Sequence, residues 1–140
     1  MQGAYAIGRT HEAGPWLGFQ PTHAGYRFVV ATETDVRSRE ADADLLLVLA
    51  IAYFEEALAD PPQEVAATHA DLSGMVRHVA ALEQDPGRRL LLNEAVDAID
   101  DGLGGDAVAA RLNAARAGNA DEQADPVDLL VELAEELLQD

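Results

Sequence analysis

Four histidines are the residues best suited to chemistry in a chain of 140 residues that contains no cysteine. Two of them, His11 and His23, bracket the stretch HEAGPWLGFQPTH, whose Gly and Pro read as a loop. Imidazole is the commonest protein metal ligand, so this pair is the candidate for an ion held across that loop. Its surroundings lack ligand spacing: His11-Glu12 is followed by Ala13-Gly14-Pro15, and neither His-Glu-x-x-His nor Glu-x-x-His occurs. His69 and His78 fall on one predicted helix. At about 100° per residue their spacing turns them to opposite sides, so they cannot share an ion. No metal and no cofactor is expected.

The acids fail the same test. Asp97, Asp100, Asp101 and Gly102 cluster, but a calcium loop beginning at Asp97 would meet Ile99 and Val108 where oxygen ligands belong. Glu55-Glu56 and Glu135-Glu136 are sequence neighbours, which diverge on a helix and form no dyad. Glu55 ends the apolar run LLLVLAIAYF and is the one carboxyl placed for the partial burial that acid–base work needs. Ser38 and Ser73 lie outside any Gly-x-Ser-x-Gly turn, so no activated nucleophile is indicated. Arg88-Arg89 sits at a predicted helix start, where two cations oppose the dipole. With free amides the pair could hold an anion; the ordinary alternative is pairing with acids of a neighbouring helix.

What remains is apolar. Trp16, Phe19, Tyr26 and Phe28 crowd the first part of the chain, and aromatic rings supply large contact area at little rotamer cost. Leu130, Leu133 and Leu137 belong to the wide apolar face of the last predicted helix. These seven are the expected interaction residues. The alternative is that the early segment folds back over its own helices as a lid.

The elements that position them divide the chain in two. Residues 1–34 carry Arg9, Arg27, Glu12 and Glu33, which cancel, so the whole net charge of −17 lies in residues 35–140. All nine basic residues are Arg, and 27 positions are Ala, the best helix former. The expected fold is mainly α: a compact bundle of about five helices with an N-terminal aromatic arm or β-hairpin. Helices are predicted over roughly 35–59, 61–84, 86–101, 106–117 and 126–139. Three share one start signal, Asp before Pro, at Asp60-Pro61, Asp85-Pro86 and Asp125-Pro126. In the arm, Tyr26 to Thr32 reads as a strand that Ala4–Ile7 or Trp16–Phe19 could pair.

Such acidity disfavours nucleic acid, and salt adaptation is its plainest source. No apolar run reaches the roughly twenty residues of a membrane span, and no secretory signal opens the chain, so a cytoplasmic protein is expected. The leading expectation is a non-enzymatic interaction or assembly subunit, adaptor- or chaperone-like and oligomeric, whose partner is another protein or a second copy. The alternatives are an acidic inhibitor of immunity type that blocks a basic site, and a small helical ligand-binding protein or enzyme using His11, His23 or Glu55.

Overall fold

The run LLLVLAIAYF dictates the architecture. In the computed structural model, which describes residues 4–9, 14–58, 64–116 and 125–139, it forms helix α1, Ala43–Phe54. Every residue from Leu45 to Ala52 is buried, and so is Phe54. Burying one Leu stabilises by about 1.5–3 kcal/mol, but only if other elements cover it. A helix apolar all round therefore needs cover on every side.

One cover is a sheet. Strands β1 (Tyr5–Arg9), β2 (Trp16–Thr22), β3 (Gly25–Ala31) and β4 (Val36–Glu40) form an antiparallel meander in sequence order. The register sets Leu17 opposite Val30 and Phe19 opposite Phe28, so these four share one face. All four belong to the core cluster that contains α1. The protein is thus mixed α and β, not a helical bundle with an arm or hairpin: the aromatic segment is the core-forming part of a four-stranded sheet.

Residues 36–40 show why the sequence misleads. Arg and Glu are good helix formers, and a helix from 35 agrees with local propensity. Tertiary pairing overrides it: Val29 pairs with Ser38, and the Arg27 guanidinium donates to Ser38 Oγ (3.0 Å) and Ser38 O (3.2 Å). Thr32 and Asp35 close the preceding turn, with Thr32 N donating to Asp35 O at 2.8 Å. Helix α1 starts only after Asp42, whose carboxylate accepts from Leu45 N at 2.8 Å. The sheet edges are both managed. Ala6 on β1 exchanges hydrogen bonds with Val65 O and Ala67 N, and β4 is short and carries Arg37, Arg39 and Glu40.

The remaining cover is helical. α2 (His69–Leu82), α4 (Gly105–Ala114) and α5 (Pro126–Leu138) pack on α1, and α3 (Pro86–Asp100) packs on α2 and α4. Helix α2 starts at a capping box, Thr68 with Asp71, eight residues later than the expected start at 61. Asp60-Pro61 lies outside the described residues. Ser73-Gly74 does not interrupt the helix; the Ser73 hydroxyl, buried at 2% exposure, donates to Asp100 Oδ1 across to α3 at 2.8 Å. Asp85 and Asp125 cap α3 and α5 with Pro in the first turn, as expected. Helix α5 lays Pro126, Leu130 and Ala134, spaced by four, against α1 and the β3–β4 side of the sheet.

Where α4 meets α1 there is no room for a side chain. A Cβ on Gly105 would lie 2.2 Å from Phe54 O, so glycine lets the start of α4 touch the end of α1. Truncating the centre of the buried helix should be far costlier than truncating its exposed neighbours. Leu49→Ala is expected to destabilise by about 2–5 kcal/mol, and Glu94→Ala by under about 0.5 kcal/mol. Urea melts of both variants measure the difference.

Candidate functional site

The end of α1 is where conformation and chemistry coincide. Glu55 is the C-cap, Glu56 N donates to Tyr53 O (3.2 Å), and Ala57 N donates to Ala52 O (3.1 Å). These two bonds are the Schellman pattern, which requires a left-handed residue after the cap. Glu56 fills that place at φ 56°, the one non-glycine residue with positive φ among those described. Helix α3 ends in the same pattern: Gly102 N donates to Ile99 O, Leu103 N to Ala98 O, and the left-handed residue is Gly102 at φ 77°.

Both helix ends and the start of α4 surround an open cavity of about 560 Å³. Its wall contains Tyr53, Phe54, His69, Glu56 and Leu103. The three rings pack on one another, with centroids 4.9 Å apart for Tyr53 and Phe54, 5.8 Å for Tyr53 and His69, and 5.4 Å for Phe54 and His69. Tyr53 Oη donates to Ala67 O at 3.4 Å. Burial, reinforced by the charge of Asp71, raises the Tyr53 phenol above its ordinary value of 10.0. Sequence reasoning passed over this group because its members lie on the end of one helix and the start of the next. The adjacent pair Tyr53-Phe54 before two glutamates was the only local signal.

A second, smaller cavity of about 310 Å³ lies beside the β2–β3 hairpin and is lined by Tyr26, Arg27, Asp42, His78 and Leu82. His78 stacks edge-on against Tyr26 at 5.1 Å. Burial raises the Tyr26 phenol too, with smaller contributions from Asp71 and Tyr5. The two helical histidines therefore serve different cavities, as their spacing requires.

The residues singled out by sequence are distributed as follows. Phe19, Phe28 and Leu130 are buried in the protein's own core. Tyr26, Leu133 and Leu137 are half-buried and pack against that core. Trp16 is half-buried beneath the Arg9 guanidinium, which lies 5.1 Å from the ring. His23 is exposed in the β2–β3 turn, and His11 lies outside the described residues. Glu55 is exposed at the helix end and accepts from Asn113 Nδ2 at 3.4 Å. Among the described residues no group of three or more potential ligands could hold a metal. No helix among them is long and apolar enough to cross a membrane.

Arg88 and Arg89 are occupied by the protein itself. Arg88 pairs with Glu83 (2.9 Å) and Asp44 (3.7 Å), and its Nε donates to Ala115 O at the end of α4 (3.0 Å). Arg89 donates twice to Glu83 O at the end of α2, at 2.9 and 2.6 Å. Arg37 likewise donates to Leu137 O in the last turn of α5 (3.2 Å) and to Asp35 Oδ2 (2.8 Å), a bond that lowers the Asp35 carboxyl below its ordinary value. Three helices thus end on an arginine from another element, a favourable use of cations at the negative pole of each dipole.

No family model, curated protein or solved structure matches the chain. The functional reading therefore rests on the site itself.

Two expected outcomes test the description of the α1 end. Glu56→Gly relieves the left-handed conformation and should stabilise the fold by about 1 kcal/mol in a urea melt. For the phenols the folded state favours the neutral form, so their contribution is complete below about pH 10 and lost as pH rises through the raised folded value. Wild type should therefore lose stability above that pH, and Tyr53→Phe should lose less, by thermal melts at about pH 8 and pH 11.

Proposed function

We propose that the protein is a non-enzymatic interaction protein whose acidic helical surface docks a basic protein partner. The carrying observation is a pair of exposed leucines: Leu82 and Leu90 are each 60% exposed, and both lie at the end of the α2–α3 hairpin. Glu83, Asp85 and Glu94 accompany them in sequence together with Arg88 and Arg89; Arg88 pairs with Glu83, and the exposed Asp85 and Glu94 keep the acids in the majority. Exposed apolar side chains rimmed by charge are the usual composition of a docking surface. The complement of this one is apolar at its centre and basic around it.

The buried positions of Phe19, Phe28 and Leu130 favour this surface over the aromatic segment as the contact region. Deleting residues 1–34 would take away three strands of the core sheet, so it would report on folding and not on assembly. An inhibitor that covers a basic site would use the same chemistry.

Self-association and docking of a basic partner respond to salt with opposite sign. Copies carrying −17 each repel, so a dimer would strengthen as salt rises, whereas attraction to a basic partner weakens. The test is a pull-down at about 0.1 M and 1 M salt, with light scattering of the protein alone under both conditions. The proposal expects a basic protein retained only at low salt, and its loss from the Leu82→Ser/Leu90→Ser variant. Retention that ignores both salt and the leucines overturns it.

A further inference from the structure

We propose that the cavity at the end of α1 binds an organic cation, an alkylammonium or guanidinium head group, between the Tyr53–Phe54–His69 rings and the Glu56 carboxylate. Depth and chemistry agree: Phe54 is buried, Tyr53 half-buried and His69 exposed, so ring surface runs from the interior to the mouth. Aromatic rings attract cations through their quadrupole, more strongly where water is partly excluded. Among the described lining residues there is no Arg to stack on the rings.

Three further observations point the same way. First, α1 and α3 both end here, and neither has a basic residue in its last turn, so two negative dipole ends meet at the cavity. The starts of α2, at His69, and of α4 contribute the opposite pole, but Asp71 and Asp106 in their first turns offset it. Second, the two matching helix ends differ in one respect. Gly102 takes the left-handed position of α3 at no conformational cost, whereas α1 keeps Glu56 there, with its residue lining the cavity. A strained residue retained where glycine would serve better directs attention to its side chain. Third, the described residues of the wall are aromatic and apolar with one carboxylate, that of Glu56, which suits a large weakly hydrated cation. Calcium and magnesium favour several carboxylate oxygens, and Glu56 is the one carboxylate among the described lining residues.

Tetramethylammonium, added at constant ionic strength against sodium chloride, tests the site by two-dimensional NMR. The proposal expects saturable shifts at Tyr53, Phe54, His69 and Gly102–Gly105 with a millimolar dissociation constant. Glu56→Gln and Tyr53→Leu should each weaken it about fivefold, the effect of one such interaction. Glu56→Gly is the decisive variant, because it relieves backbone strain while removing the carboxylate: a more stable protein that binds less tightly supports the proposal. Peptides Gly-Gly-Lys-Gly-Gly and Gly-Gly-Arg-Gly-Gly distinguish the sources, since tighter binding of either than of tetramethylammonium identifies a polypeptide side chain and weaker binding a free small molecule. Shifts that never saturate, that match those caused by sodium, or that survive Glu56→Gly unchanged overturn it. None of these readouts involves Leu82 or Leu90, so this site stands or falls independently of the docking surface.

Discussion

Leu45 to Ala52 is an unbroken run of buried positions in a single helix, and covering it is the constraint from which the fold follows. An amphipathic helix needs one partner; this one needs partners all round its axis. The sheet supplies one through β1 and β3, and α2, α4 and α5 supply the others. That demand explains why the early aromatics turn inward. Phe19 and Phe28 face each other across β2 and β3 and fill space that α1 would otherwise open to water. It also explains Gly105, since α4 can close the far end of α1 only if nothing projects from its first residue toward Phe54 O.

Charge is organised around the same frame. With nine arginines against 26 acids, each cation is scarce. Arg37, Arg88 and Arg89 reach the carboxyl-terminal carbonyls of α5, α4 and α2, where a cation both completes hydrogen bonding and opposes the dipole. Arg77 pairs with Asp100, which also accepts from buried Ser73, so the α2–α3 hairpin is joined by a polar link as well as by its core. The ends of α1 and α3 have no basic residue of their own in the last turn, and those are the ends that meet at the aromatic cavity. Elsewhere the acids remain on exposed helix faces, and the surface that results is strongly negative and interrupted by Leu82 and Leu90.

The legible parts of the sequence were those governed by local physics. Asp85-Pro86 and Asp125-Pro126 announced two helix starts because a cap and its proline act within one turn. The all-apolar run announced a helix covered on several sides. Tyr26 to Thr32 announced a strand through β-branched and aromatic residues, and β3 runs from Gly25 to Ala31. The sheet as a whole was not legible, because β4 is a polar edge strand whose conformation is decided by pairing with β3 and not by its own residues. Reading 36–40 as helix then left the aromatic segment looking like an arm in need of a partner. The capping box at Thr68 and Asp71 was present in the sequence, but the Asp-Pro pattern drew the expected start upstream to 61. The cavity at Tyr53, His69 and Glu56 could not be read in advance, since it forms only when the ends of α1 and α3 are brought together.

Helix α1 is the most enclosed element of the fold, covered by both sheet and helices. Native-state hydrogen exchange, read residue by residue against denaturant, examines that enclosure directly. Amides from Leu49 to Tyr53 should exchange only through complete unfolding, with a free energy equal to that of the equilibrium melt, while those of β4 and the last turn of α5 open earlier. Exchange of the α1 amides through local openings well below the global free energy would mean that the helix is not enclosed, and the architecture described here would be wrong.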